Sequence, residues 1–230
     1  MSEEIVVNPG IRHYLFLELG TLYWELRKAV EGHVKGRNLL VLDIGCGWKK
    51  YQPFFEGKAR KVIGLEPGEN GLPDVRGRGE SLPFKPASFD VVLCTQVLQY
   101  FDDPFHAARE MHRVLKKNGV AFVSAPGTYP LFDPPNPKWR FMPHGFQRLF
   151  AGFSSVEVRP LGGFIQCYFQ ILALLAKHAV FGRRPWENWF TKRVMWFLVF
   201  PFLNVLGKTL DAWSYNDKAS IGYLAIAKKG

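Results

Sequence analysis

Cysteine is scarce in this chain of 230 residues: Cys46, Cys94 and Cys167 stand far apart, each in an apolar or strand-like stretch. None forms a C-x-x-C pair, so neither a disulfide framework nor a metal site is expected. Each thiol reads instead as a small buried hydrophobe. Acidic charge is also short, with 20 Asp and Glu against 30 Lys and Arg, a net charge of +10. An ordinary basic surface, an anionic substrate, anionic lipid or nucleic acid would each account for the surplus. The first residues, Met-Ser-Glu-Glu, lack the basic-then-apolar build of a secretory leader. A reducing, cytoplasmic location is expected from that start. The chain has no internal repeat and no low-complexity tract, and no apolar run reaches a clean span of about 20 residues.

What is present is an apolar core's worth of side chains, 47% of the composition, enough for one α/β domain with elaborations. Its most telling stretch runs Leu39-Leu-Val-Leu-Asp-Ile-Gly-Cys-Gly-Trp-Lys-Lys-Tyr51. A continuous aliphatic run ending at close glycines predicts a buried parallel strand entering a tight turn. Glycines let the backbone approach a ligand, and a following helix N-terminus favours negative charge. A dinucleotide fingerprint would be G-x-G-x-x-G, yet Lys50 stands where the third glycine belongs. A plain strand-turn-helix without a ligand is the bland alternative. Against it stands Glu66, at the end of the strand 61–66 and 21 residues past Gly45. An acidic residue at that place accepts two hydrogen bonds from a ribose diol in nucleotide-binding α/β folds.

Along the chain, Leu15, Leu19, Leu22 and Leu26 keep helical spacing and predict a helix over 11–34 that stops before Gly36. Strands are predicted over 39–44, 61–66, 88–95, 120–124, 156–159 and 221–227. Residues 48–57 read as a turn and short helix, and 67–88 as a loop or short strand region. A basic-ended amphipathic helix over 105–117 is closed by Asn118-Gly119. Six prolines make 126–143 a stiff loop leaving the C-terminal end of a strand, and a helix over 145–150 follows. Strand-helix alternation at this pace predicts a doubly wound sheet, with ligands at the C-terminal ends of its strands.

The Asp43-Ile-Gly-Cys-Gly47 turn resembles motif I of the class I S-adenosylmethionine-dependent methyltransferases. The order of Gly77-Arg-Gly-Glu-Ser-Leu-Pro-Phe84, Ser88-Phe-Asp-Val-Val92, Val97-Leu98, Asp103-Pro104 and Glu110-Met-His-Arg-Val-Leu-Lys116 is similar to that family's consecutive blocks. Gly45-Cys-Gly-Trp-Lys-Lys-Tyr51, Trp139-Arg-Phe141, Gly152-Phe153 and Gly162-Gly163 resemble its type 11-like bacterial branch, often associated with cell-envelope glycan synthesis. The resemblance covers residues 37–163 and, loosely, the last strand. It implies a Rossmann-like α/β fold, a seven-stranded sheet with helices on both faces and a helical insert before the last strand. It also implies the cofactor S-adenosylmethionine. Asp43, Gly45, Cys46 and Gly47 would hold the methionine end, Glu66 the ribose, residues around Gly79 and Glu80 the adenine, and Gln96 would face the methyl-bearing sulfur. Two departures stand out: Arg78 where the family often has Asp, and Gln99-Tyr100 where it often has Glu-His.

A sulfonium methyl is already electrophilic, so alignment and water exclusion are the main requirements and no mandatory catalytic residue follows. For a hydroxyl acceptor a base helps. Asp102, His106 and His144 are the candidates, although Asp102-Asp103-Pro104 equally reads as a helix N-cap. Trp139 and Arg140 are candidates for stacking on, and binding, a sugar or anionic acceptor, with packing of the Pro-rich loop as the alternative.

The last third is different in kind. Residues 151–230 carry 10 basic against 4 acidic residues, while 1–150 carry 20 against 16. Two uncharged runs, 160–176 and 194–207, are flanked by Lys177, Arg183, Arg184, Lys192, Arg193 and Lys208, with Trp186, Trp189 and Trp196 nearby. A helical cap, a pair of interfacial membrane helices and a true span are three readings of this insert. The expected organisation is an N-terminal helical segment over 1–36, the core over 37–163, the insert over 164–217 and the final strand over 218–230. Three functions remain open. One is methyl transfer to a membrane- or lipid-linked glycan, with peripheral inner-membrane contact through 164–208. The others are transfer to a soluble small molecule with the insert as a lid, and cofactor binding without turnover. Nucleic acid is not an expected partner, because the catalytic region carries only +4 and no Asn-Pro-Pro-Tyr-type motif follows the fourth strand.

Overall fold

The computed structural model describes residues 8–68, 71–130, 137–181 and 189–230. Seven strands follow in chain order: β1 Leu39–Ile44, β2 Ala59–Glu66, β3 Val75–Arg76, β4 Phe89–Thr95, β5 Leu115–Pro126, β6 Ser155–Pro160 and β7 Gly222–Lys228. They form one sheet in the order β3-β2-β1-β4-β5-β7-β6. β7 runs antiparallel between β5 and β6, and the other pairings are parallel. The order reverses between β1 and β4, which opens a crevice at their C-terminal ends.

Successive side chains of β4 part to opposite faces. Val91 and Leu93 join Leu22, Leu26 and Val30 of helix α1 (Thr21–His33). Val92 and Cys94 join Met111 of α2 (Pro104–Val114) and Phe146 of α3 (Pro143–Leu149). Burial on both faces explains why β1 and β4 are written as unbroken apolar runs.

Two expectations shift. Helix α2 stops at Val114 rather than 117, because Leu115 pairs with Phe89 and starts β5. Asn118, at φ +63°, bends that strand rather than capping the helix. The Lys229 ammonium supplies the missing cap, donating to the carbonyls of His112 and Leu115 at 2.7 Å each. At the other end the helix predicted over 11–34 begins as a π turn at Phe16–Gly20 and becomes α-helical at Thr21. The carbonyls of Ile11, His13 and Tyr14 accept from side chains of distant helices, and His13 also accepts from Phe16 N–H.

Those helices are the insert between β6 and β7: α4 Phe164–Phe181, α5 Trp189–Val194 and α6 Phe200–Trp213. Arg183, Arg184 and Trp186 lie outside the described residues, as do Pro134 and Pro135 of the proline-rich loop. A π turn at Met195–Val199 joins α5 to α6. Pro201 lacks an N–H and crowds the preceding turn, and the wider π turn lets the helix continue through it. The result is one helix over Thr191–Trp213, 23 residues long. By length and composition it is sufficient to cross a membrane, although neither uncharged run alone reaches a clean span.

Candidate functional site

The site is built at the C-terminal ends of β1, β2 and β4. β1 ends at Ile44, and Gly45 and Gly47 take φ of +69° and +48°. A side chain at Gly45 is barred twice over, by that backbone and by Val97, whose methyl would lie 2.2 Å from a Cβ there. Gly47 faces open space instead. The turn is tied to β2 by Gly45 N–H, which donates to the Leu65 carbonyl at 2.8 Å. Cys46 is buried beside Gly64, and burial pushes its thiol up to about 12. That state suits a packing residue, not a nucleophile.

Asp43 lies under the turn, 1% exposed, with Oδ1 lacking a hydrogen-bond partner. Burial lifts its carboxyl to about 7, against the pull of Lys50. Lys50, the residue that replaces the third glycine, turns into a cleft of about 180 Å³. Burial draws its ammonium pKa down, opposed by Asp43 and Glu18. Lys49 takes a different course and pairs with Asp74 at 2.6 Å, which also accepts from Gly64 N–H. Glu66 ends β2 half-buried. Burial raises its pKa, and a hydrogen bond from the Gly47 backbone opposes the rise.

The cleft is walled by Glu18 and Leu19 from the N-terminal turn, by Gln96 and Gln99 after β4, and by Tyr129 and Arg140 after β5. Gln96 sits at φ +57°, a left-handed conformation uncommon for a side-chain-bearing residue, and its N–H donates to the Ser124 carbonyl at 2.9 Å. Such outliers cluster where a side chain must be aimed. Gln99 donates from Nε2 to the Gln96 carbonyl at 2.9 Å, and its Oε1 is buried with no partner. The residue in place of the family's Glu thus presents an uncharged acceptor next to the cleft.

Other predicted site residues fall elsewhere. Gly79 packs under Phe101, leaving 2.4 Å for a Cβ, so this segment lies tight against the loop after β4. Glu80 accepts the Asp102 N–H at 2.9 Å and fixes that loop. Asp102 is not among the residues lining the cleft. Its exposed carboxylate pairs with Lys138 and Arg78, which hold its pKa below the ordinary carboxylate range. A base needs the opposite shift. Asp103 is the N-cap of α2, accepting from His106 N–H at 2.9 Å. His144 is exposed on the first turn of α3 against Gln147, and it too is absent from the cleft walls. Trp139 donates from its indole to the Phe101 carbonyl at 2.9 Å. Arg140 lines the cleft, with its guanidinium on the carbonyls of Tyr129, Pro130 and Trp139. Glu18, Lys50 and Gln99 are polar cleft residues that the motifs alone do not assign.

These features fit S-adenosylmethionine. Asp43 offers an orphan buried acceptor beneath the turn for a cationic amine, Gly47 offers open backbone, and Glu66 offers a carboxylate at the ribose position. Residues 42–123 match the sequence profile of the family described as "Methyltransferase domain". The chain is 30% identical over 139 residues to rice (Oryza sativa subsp. japonica) 2-methyl-6-phytyl-1,4-hydroquinone methyltransferase 1, chloroplastic, covering 56% of this chain and 38% of that protein. It is 30% identical over 99 residues to the ubiquinone biosynthesis O-methyltransferase of Pseudomonas aeruginosa, covering 36% and 43%. It therefore spans less than half the length of these relatives. In fold it is similar to a crystal structure of an S-adenosylmethionine-dependent methyltransferase from Archaeoglobus fulgidus, with TM-score 0.55 and 18% identity over 93% of this chain and 94% of that one. The sheet order, the glycine turn, Glu66 and these likenesses converge: residues 42–123 match a methyltransferase domain, on the fold of the class I S-adenosylmethionine-dependent enzymes, and S-adenosylmethionine is the cofactor these findings support.

Proposed function

We propose that this chain transfers a methyl group from S-adenosylmethionine to a lipid-linked acceptor, of which an envelope glycan is the class suggested by the branch its motifs resemble. The observation that carries the transfer reading is the cleft itself, which is lined by Lys50 just past the glycine turn and by Glu18, Gln96, Gln99 and Arg140. The chemistry that bound cofactor supplies is an electrophilic methyl group. The chain's own part is to bind, orient and keep water away. Asp43 and the open Gly47 backbone would hold the amino-acid end, Glu66 the ribose hydroxyls, and Gln96 the region of the sulfur. Lys50 and Arg140 give the acceptor wall a positive character, while Leu15, Leu19 and Tyr129 give it an apolar one. A polar, anionic head on an apolar stem matches that mixture. Among the relatives, one is named for a hydroquinone bearing a phytyl chain and another for ubiquinone biosynthesis, which supports a lipid-borne acceptor.

A second reading, a small soluble acceptor with the insert as lid, draws on the way α4 clamps the N-terminal turn of the cleft wall. Incubation with methyl-labelled cofactor and separated membrane and soluble fractions distinguishes the two. Label in lipid-extractable glycan supports the first reading. Label confined to small soluble molecules supports the second. Tight cofactor binding with no transfer to either fraction would make the chain a cofactor-binding regulator.

A further inference from the structure

Helices α4 and α6 bury polar side chains beside apolar ones such as Cys167, Ala173 and Phe200. Their buried positions include Gln166, Gln170, Asn204 and Asp211. Each of these is bonded to a distant part of the chain. Gln166 donates to the Leu17 carbonyl at 2.9 Å and to Thr21 Oγ1 at 2.7 Å. Gln170 accepts from Glu18 N–H and donates to the Tyr14 carbonyl. Asn204 donates to the carbonyls of Ile11 and His13, and Asp211 accepts from Gly163 and Gln166 N–H.

Many of the outward positions are apolar. On α4, Phe164, Tyr168, Leu172 and Leu175 are exposed and recur at helical spacing, so they form one stripe. Leu198, Phe202 and Val205 form a second stripe on the long helix, with Trp196 and Phe197 beside it. Leu198 is 65% exposed, Phe202 64% and Trp213 85%. Only 28% of the most apolar part of Thr191–Trp213 is buried in the molecule. A helix layer facing water places its polar side outward, and a contiguous apolar surface of this kind marks an interaction site.

Charge selects the occupant. Among the described residues of 164–213 the cations are Lys177, Lys192, Arg193 and Lys208, and the one carboxylate, Asp211, is buried. Arg12 adds a further cation, its guanidinium 4.7 Å from the centre of the Phe197 ring. A second copy of the same face would set cations against cations, whereas an anionic bilayer satisfies both the apolar stripes and their charge. We infer that the outer face of α4 and α6 docks this domain in the interfacial zone of an anionic phospholipid membrane. The long helix lies in the interface and does not cross it, because Asn204 and Asp211 bolt its inner face to the domain. Arginine and tryptophan at the rim of an embedded apolar face suit the headgroup zone.

This deepens the proposed function, on which it rests for its purpose. Gln166 and Gln170 hold the turn that carries Leu15, Glu18 and Leu19, so one helical layer separates the membrane face from the cleft wall.

The test is flotation of the full chain with vesicles of phosphatidylcholine alone or mixed equally with phosphatidylglycerol, alongside calorimetric titration with S-adenosylmethionine. The chain is expected to float with the anionic vesicles and to be released by salt, with the tryptophan emission shifting to the blue on binding. Lys192→Gln and Lys208→Gln should each weaken partitioning about fivefold. The double variant Leu198→Glu, Phe202→Glu should abolish flotation while cofactor affinity stays at the wild-type value. Three results overturn the inference: no flotation with either vesicle, equal and salt-resistant flotation with both, or a dimer that the double variant dissociates without any change in partitioning. Vesicle binding by a chain that ignores the cofactor would sink the methyl-transfer reading alone. Cofactor binding by a chain that ignores vesicles would sink the docking alone.

Discussion

Val97 occupies the space in which any side chain at Gly45 would have to stand, 2.2 Å from the ideal Cβ position. The contact locks the loop after β4 onto the turn after β1, the two pieces of chain that flank the strand-order reversal. Gly45→Ala therefore meets a clash and a left-handed backbone together. Overpacking costs about 1–3 kcal/mol and the backbone adds roughly 1 kcal/mol more. The expected outcome is a lower denaturant midpoint and cofactor binding weakened at least tenfold in calorimetry. Gly47→Ala is the contrast, since it meets open space and keeps only the backbone penalty. Equal stability of the two variants would refute the packing account.

Asp43 makes stability depend on pH in a definite direction. Its folded pKa, about 7, is raised by burial above the unfolded carboxylate value near 4. A raised pKa means that the folded state binds the proton more tightly. The contribution is fully present below about pH 4, is lost as pH rises towards 7, and stays lost above it. By linkage the swing is about 4 kcal/mol. Comparison with Asp43→Asn cancels the other titrating groups. The wild type minus variant difference in unfolding free energy should fall from pH 4 to pH 7 and level off beyond. A flat difference would show that Asp43 is not buried as described.

Lys50 should tune that midpoint, since its ammonium lowers the Asp43 pKa. In Lys50→Met the fall in stability should move to higher pH, and the carboxyl should titrate later by NMR. An unshifted midpoint would mean that the two groups do not sense each other.

Glu66→Ala removes a half-buried carboxylate that accepts from the Gly47 backbone and is otherwise available to a diol. Charged hydrogen bonds of this kind contribute about 1–3 kcal/mol. Affinity for S-adenosylmethionine should drop about 5- to 150-fold, while Glu66→Gln, which keeps one acceptor, should lose less. Unchanged affinity in the alanine variant removes the ribose assignment.

The parts of this site that were legible in the sequence share a physical cause. Asp43, Gly45, Gly47 and Glu66 sit at or just past the ends of strands whose closing residues are largely buried, where an apolar run followed by glycine or a carboxylate is read from neighbours alone. Gln96 and Lys50 are harder. Nothing local shows that Gln96 adopts a positive φ, since Ser124 of β5 holds it there. Nothing local shows that Lys50 turns inward, since the acidic partners that surround it come from β1 and the distant residue Glu18. The insert defeats periodicity for the same reason. Gln166 and Gln170 read as breaks in an apolar helix until the carbonyls of 11–17 are set against them.

Asp102→Asn and His144→Ala test the acid-base candidates that spacing suggested. Asp102 is exposed and held ionised by Lys138 and Arg78, and His144 meets Gln147 at 3.1 Å on the exposed side of α3. Methyl transfer to the membrane fraction should be unchanged in both variants across about pH 5.5 to 9.5, a range that reaches one unit below an ordinary histidine titration. Loss of the acidic limb of the rate profile in either variant would restore that residue as a base.

Gln170 and Asn204 offer the closing test, because both clamp the N-terminal turn but differ in how well they are satisfied. Gln170 is bonded at both ends of its amide, to Glu18 N–H at 3.1 Å and the Tyr14 carbonyl at 2.7 Å. Asn204 bonds through its nitrogen while its Oδ1 is buried without a partner. Gln170→Met removes a hydrogen-bond partner from each of two backbone groups and relieves nothing. Asn204→Leu takes its amide from the Ile11 and His13 carbonyls, but His13 still accepts from Phe16 N–H at 3.1 Å, and the change removes the orphan oxygen. A buried polar group left without its partner costs about 1–3 kcal/mol. Gln170→Met should therefore be the more destabilising change, and amide exchange at Leu15–Gly20 should quicken in it first. Because Glu18 and Leu19 belong to the cleft wall, that variant should also raise the acceptor KM with cofactor affinity kept. Equal exchange in the two variants would show that the clamp does not set the rigidity of the wall.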